Sequence, residues 1–403
     1  MARKKQPAQS GKKSNRPRPD GQPKNPPPGA GVTSSSAIIS PAVDFLCCGG
    51  VSILAVLAIF LFAWSSPGSK FLTEGFSMSA NRIPWENIIV MGILGTLINA
   101  PHFMASYHLL YRKREYVVRH KLASMWVPVI FLATVAYALL TPDRASNSPF
   151  NKAVVDSLMF LNVLLLAWHY TGQAWGMTGA FAYIAGIRLD GLERRLIRSG
   201  YYALLVWHVL WAWLFALRQP GSFIADKFSA HIPLFQIAYN IWSAIVLLTI
   251  PLGIIGFLRI RRRTGMMPPL RSSSPWLAIY LWYVLIWAYP VMFPFLQVFH
   301  ALQYLIFPLR VETNLYSARK QRSGVRRVLH ALGYYLILVI VGLLVFETPM
   351  PPYLVGLVAA FVNIHHYFID GAIWKIRNPE VRRDLFAHLK LPENARPAAL
   401  PAK

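Results

Sequence analysis

Acidic residues are scarce in this chain. Only 16 Asp and Glu stand against 41 Lys and Arg in 403 residues, and charged residues of both signs make up 14%. Soluble domains carry about 25% charged residues, so the composition excludes an ordinary water-soluble fold and predicts an integral membrane protein. Cysteine is nearly absent. Cys47 and Cys48 are adjacent and lie inside an apolar run, which excludes a disulfide framework and a spaced zinc site and leaves packing as their expected role. No internal repeat with a period of about 20–50 residues is evident, so a solenoid is not expected. No polar stretch is long enough for a separate catalytic domain, so any chemistry must happen in or at the membrane.

What is present is apolar and basic. Hydrophobic residues make up 55% of the chain, and the formal net charge is +25. Such a charge could suggest nucleic acid, but its distribution argues against that partner. The first 40 residues hold eight Lys and Arg and one acid, with much Pro, Gly, Ser and Gln. A segment of that composition cannot bury enough surface to fold, so residues 1–40 are expected to form a disordered, basic, Pro-rich cytoplasmic tail. No short apolar stretch with a small-residue cleavage site follows it, as a secretory signal would require.

A helix needs about 20 apolar residues to cross a bilayer. Runs near 42–64, 87–110, 122–141, 155–177, 200–217, 233–258, 275–290, 293–309, 328–346 and 352–373 meet or approach that length. Pro290 and Pro294 split the stretch 275–309, because proline removes a backbone donor and clashes with the preceding turn. The loops at 112–121, 188–198, 259–271 and 310–327 are strongly basic, as is the tail 374–403, whereas the intervening loops are balanced in charge. Basic loops stay in the cytoplasm. Ten spans put every basic loop and both termini on that side. The expectation is therefore an all-α transmembrane bundle of about ten spans over 41–373, in a cell (inner) membrane with cytoplasmic termini.

Histidines lie inside these runs. An ionisable group in hydrocarbon is expensive and marks a functional site by default. His102, His208, His300 and His365 each stand ten residues from a basic edge residue, Arg112, Arg198, Arg310 and Lys375 respectively. At 1.5 Å per residue that places each about 15 Å deep. His169 lies about as deep. Histidines on separate helices at one depth can converge. Asp370 is four residues from His366, and Gln173 four from His169, so each pair shares a helix face. Tyr304 shares a face with His300 in the same way. His365 and His366 diverge by about 100° on a helix, so only one of them need face a shared site. His208, in VWHVLWAW, suits a cross-helix hydrogen bond equally well. His108, His120, His231, His330 and His388 lie near loops or the tail, where structural roles are expected.

His102, His169, His300 and His365 or His366 are thus the expected metal ligands, with Asp370, Gln173 and Tyr304 around them. Imidazoles with one carboxylate and no thiolate suit iron ahead of copper or zinc; a b-type haem held by facing histidines is the alternative. The apolar setting points to oxidation of a lipophilic small molecule reached from the bilayer, with an electron donor as partner. A haem electron-transfer protein and a transporter or proton-coupled permease are the other classes the pattern allows.

In carrying single histidines on separate spans, the chain resembles polytopic His-ligated membrane oxygenases of the bacterial carotenoid-cleaving Brp/Blh type. The resemblance rests on His102, His169, His300 and His365/His366 and on the apolar character of 42–373. It is one of type, without a contiguous motif, and it implies a helical bundle around an intramembrane metal. The chain departs from membrane desaturases and alkane hydroxylases: their HxxxH and HxxHH boxes are absent, and NIHHY has no earlier histidine at the right spacing.

Overall fold

The computed structural model describes residues 37–65, 92–143, 148–319, 324–376 and 378–389. The expected tail lies outside these up to residue 36. So do the first residues of the second expected span and the end of the C-terminal tail.

Among the described residues the chain is helical, with no strand. Helix α1 spans Pro41–Trp64 and α2 Ala100–Tyr111, entered through a π-helical turn at Gly95–Asn99. A short α3 (Arg114–Arg119) leads to α4 (Leu122–Leu140). Then come α5 (Lys152–Ile184), α6 (Gly191–Leu217), a short α7 (Phe223–Phe228) and α8 (Ile232–Thr264). They are followed by α9 (Leu270–Ala288), α10 (Phe293–Arg319), α11 (Gly324–Phe346), α12 (Pro352–Ile373) and a surface helix α13 (Pro379–Phe386).

Seven of these segments are long and apolar enough to cross a membrane: α1, α4, α5, α6, α7 joined to α8, α11 and α12. Helices α9 and α10 fall outside that set. Helix α9 opens on Arg271 and three serines, and α10 carries Gln297, His300, Gln303, Arg310 and Glu312. Several helices outrun the expected spans. Helices α5 and α8 have 33 residues each, about 50 Å at 1.5 Å per residue, so both project beyond a hydrocarbon core about 30 Å thick.

Local chemistry explains the helix ends. Asn151 caps α5 by accepting from the Val154 amide. Asp190 and Glu193 form a capping box at the start of α6, which satisfies two orphan amides. Helix α8 ends on Gly265 in the left-handed region (φ 74°), after Arg261, Arg262 and Arg263 in its last turn. Both features suit a helix C-terminus, where glycine tolerates positive φ and cations face the dipole. Pro290 and Pro294 act as expected. The chain leaves α9 at Ala288, makes a 3-10 turn over Pro290–Met292 and reverses into α10. The rings of Trp282 and Phe299, 17 positions apart, lie 6.1 Å from each other, which an unbroken helix, rising about 25 Å over that distance, would not permit.

Large apolar side chains crowd the outside. Leu234, Ile237, Ile241, Leu247 and Leu248 on α8 are mostly exposed, as are Val328, Leu329, Leu332, Leu336, Ile337 and Leu344 on α11. Such belts would aggregate in water and mark lipid-facing surface. Small residues let the helices close inside this shell. A Cβ on Gly256 of α8 would stand 2.7 Å from Ile197 of α6, and one on Gly342 of α11 would stand 2.7 Å from the Ala100 Cβ of α2. Close approach through glycine is how membrane helices gain packing without a hydrophobic driving force.

Buried acids need partners. Glu193 is fully buried and receives two hydrogen bonds from Arg263, at 2.8 and 2.7 Å, which ties α6 to the end of α8. Asp44, inside the first expected span and also fully buried, accepts from the Ile38 and Ile39 amides at 2.7 and 2.9 Å. Asp370 is therefore not alone among buried acids. At the surface, the Arg119 guanidinium 2.6 Å from Glu380 holds that carboxyl below the usual carboxylate range and joins α13 to α3.

Candidate metal centre

Four helices bring one histidine each into one buried cluster. His102 comes from α2, His169 from α5, His300 from α10 and His366 from α12. The ring centroids of His102 stand 5.5 Å from His300 and 4.7 Å from His366, and those of His169 stand 4.5 Å from His300 and 4.8 Å from His366. The Nε2 atoms of His169 and His300 are 2.8 Å apart. The ligand atoms of His102, His300 and His366 lie within 4.8 Å of one another, as do those of His169, His366 and Asp370. Each group could hold a metal ion, and His366 belongs to both. None of the five residues is more than 8% exposed, so the centre is closed to bulk water.

Each of these side chains is held from outside. Pro101 has no N–H to give to the Leu97 carbonyl one turn back, and that oxygen accepts from the Tyr335 hydroxyl instead. The Asn99 carbonyl, in the same loosened turn, accepts from His102 Nδ1. That bond fixes the tautomer and leaves Nε2 as the free donor atom, the usual arrangement behind a metal-bound imidazole. A π-helical turn next to a functional residue is a recurring association. Tyr367 stacks on His169 at 4.6 Å and 29°, Tyr170 lies against His300 at 4.4 Å, and Phe103 meets His366 edge-on at 5.0 Å. These rings fix the imidazole planes and keep water out.

Asp370 is aimed by a relay of donors. Trp374 Nε1 donates to the Tyr304 hydroxyl at 3.0 Å, Tyr304 and Ser106 share a 2.5 Å hydrogen bond, and Ser106 donates to Asp370 Oδ1 at 2.9 Å. The other carboxylate oxygen faces His366 Nε2 at 3.3 Å and His169 Nε2 at 4.0 Å. Ser106 and Trp374 were not expected from the sequence. Ser106 stands one turn after His102, and that spacing was the available signal. Trp374 gave none, since tryptophan is common at helix ends.

The expected residues do not all arrive at the centre. His365 is turned away, as the divergence on the helix requires, and its Nε2 donates to the Ala123 carbonyl of α4 at 2.8 Å. Gln173 holds no ring: its amide donates to the His300 backbone carbonyl at 3.0 Å and so positions α10. Tyr304 does arrive: its ring stands edge-on to His102 at 5.7 Å and to His366 at 5.8 Å, and its hydroxyl reaches Asp370 through Ser106. His208 lies elsewhere and bonds the Tyr283 hydroxyl at 2.8 Å, the cross-helix alternative. His108 meets the Tyr334 hydroxyl, His330 meets Glu312, and His388 meets the Ala37 carbonyl.

The donor set fits a transition metal. His300 Nδ1 and His366 Nδ1 are buried without a hydrogen-bond partner, and His366 Nε2 has only Asp370 Oδ2 near it, at 3.3 Å. A buried polar group left unpaired costs about 1–3 kcal/mol, and an ion that takes one nitrogen of each ring would offset part of that cost. Two nitrogens on one ion at about 2.0–2.1 Å would be roughly 3–3.4 Å apart, close to the 2.8 Å between His169 and His300. No family model matches the chain, and no curated protein or solved structure matches it.

Proposed function

We propose that the chain is a metal-dependent oxidoreductase of the membrane, acting on a lipophilic substrate inside a bundle of about ten spans with cytoplasmic termini. One observation carries the reading: imidazoles from four helices and Asp370 meet in one dry cluster, in which the triads His102–His300–His366 and His169–His366–Asp370 could each hold an ion. His102, His169, His300 and His366 would hold the ion, and iron suits this set ahead of copper or zinc. Bound there, it would supply redox chemistry that side chains alone do not offer. The protein residues would orient and insulate. Asn99 fixes the His102 tautomer, Tyr170 and Tyr367 fix the ring planes, and the Trp374–Tyr304–Ser106 relay holds Asp370 against His366. Ser106 and Tyr304 can also carry a proton to or from the carboxylate.

The contact between His169 and His300 favours a bare ion over haem. Axial nitrogens on one haem iron are separated by two ligand bonds, about 4 Å, with the macrocycle between them. Elemental analysis of protein purified from membranes tests the proposal. One equivalent of iron, or of copper or zinc, is expected, falling at least ten-fold in His300→Ala. Absence of any stoichiometric transition metal from the wild-type protein would overturn it. Lipid extracts from cells expressing the wild type should contain an oxidised species that cells expressing His300→Ala lack.

A further inference from the structure

A cavity of about 210 Å³ lies between the start of α2 and the end of α11. Among the described residues its walls include Gly92, Gly95, Thr96, Asn99, Gly342 and Phe346. There is room beside its glycines: a Cβ on Gly92 or Gly95 would meet nothing within 4 Å. Ile93 and Leu343 beside it are exposed, on the kind of apolar surface that meets lipid. Helix α11 begins at the basic end of the molecule, with Arg326 and Arg327, and reaches this cavity only at its other end, next to Glu347. The opening therefore lies in the half of the membrane away from the basic loops.

The inner wall of this cavity is the outer wall of the histidine centre. Phe346 stands 5.8 Å from Phe103, and Phe103 stands 4.0 Å from His102 and 5.0 Å from His366, centroid to centroid. Asn99 belongs to both places: its carbonyl accepts from His102 Nδ1 and the residue borders the cavity. That side chain donates to Gln297 at 3.4 Å and leaves Oδ1 buried with no partner. Thr96, Asn99 and Glu347 give an otherwise small and apolar wall its polar groups, and polar groups of that kind select a ligand whose polar end brings a donor.

We infer that this cavity is the lateral entrance through which substrate reaches the histidine centre from the bilayer, and that the substrate class is a lipid with an apolar chain and a hydroxyl that meets the polar wall at Thr96, Asn99 and Glu347. The inference rests on the oxidoreductase reading for its purpose, but the binding it describes needs no metal. The probe is a diazirine-bearing C16 fatty alcohol, photoactivated with the full-length protein in bilayers, with adducts mapped by peptide mass spectrometry. Adducts are expected within 99–104 of α2, a stretch buried from its Ala100 onward, as well as on lipid-facing α8. Gly95→Trp fills the cavity and should cut the 99–104 adducts at least ten-fold while leaving those on α8 unchanged. Gly92→Trp is the second plug. Gly333→Trp, on the exposed face of α11 with open space around it, is the control that should label like wild type. Wild-type labelling confined to α8 and other exposed surface, or undiminished 99–104 adducts in both plugged variants, would overturn the inference. Metal content measured on the same samples separates this outcome from failure of the metal centre itself.

Discussion

At the scale of single residues, two adjacent histidines have different jobs. His366 enters the centre, and His365 donates to the Ala123 carbonyl outside it. The sequence required the two to diverge but could not say which faced inward, because both sides of α12 are apolar and a helix alone does not fix its own rotation. His366→Ala is expected to abolish metal retention, read as at least a ten-fold drop in bound metal. His365→Ala should keep the metal and lose a hydrogen bond worth roughly 1 kcal/mol, seen as a modestly lower melting temperature. Equal metal loss in both variants would contradict the geometry. His102, His169 and His300 were legible because an ionisable residue in an apolar run is conspicuous. Ser106 was not, since serine occurs in membrane helices for many reasons.

At the scale of elements, glycine governs how closely helices approach. Gly256 lets α8 settle on α6 against Ile197 and the Ile197 backbone amide, beside the Glu193–Arg263 pair that locks the ends of the same two helices. Gly256→Leu should cost about 1–3 kcal/mol by overpacking, measured as a shift in the unfolding midpoint in detergent; Gly333→Leu, in open space, should leave it unchanged. The turn at Pro290 and Pro294 was legible from proline chemistry. The partners α9 and α10 meet were not, because contact between distant helices depends on side-chain shape and not on composition.

At the scale of the whole molecule, the sequence spoke most clearly about class. Charge scarcity and apolar runs led to a helical bundle, and seven helices long and apolar enough to cross a membrane agree with it. The expected count of ten goes beyond these seven. Among the other three helices, α2 and α10 carry His102, Ser106, His300 and Gln303, and α9 opens on Arg271 and three serines; the hydropathy of a helix falls as it acquires such groups. The ten-span arrangement makes a prediction at this scale. With native cysteines replaced, single cysteines at Arg262 and Val325 should react with a membrane-impermeant maleimide from the same side, and one at Glu347 only from the other. Labelling of all three from one side would rule out that topology.

Among the described residues, α12 is the last helix long and apolar enough to cross a membrane, and it carries both His366 and Asp370. Chains emerge from the ribosome N-terminus first. His102, His169 and His300 are therefore made before His366 and Asp370, which close the cluster once α12 docks. Loading would thus belong to biosynthesis and not to the finished protein. A chelator present during cell-free translation into vesicles should yield protein without metal, whereas the same chelator added to mature protein should remove little over hours.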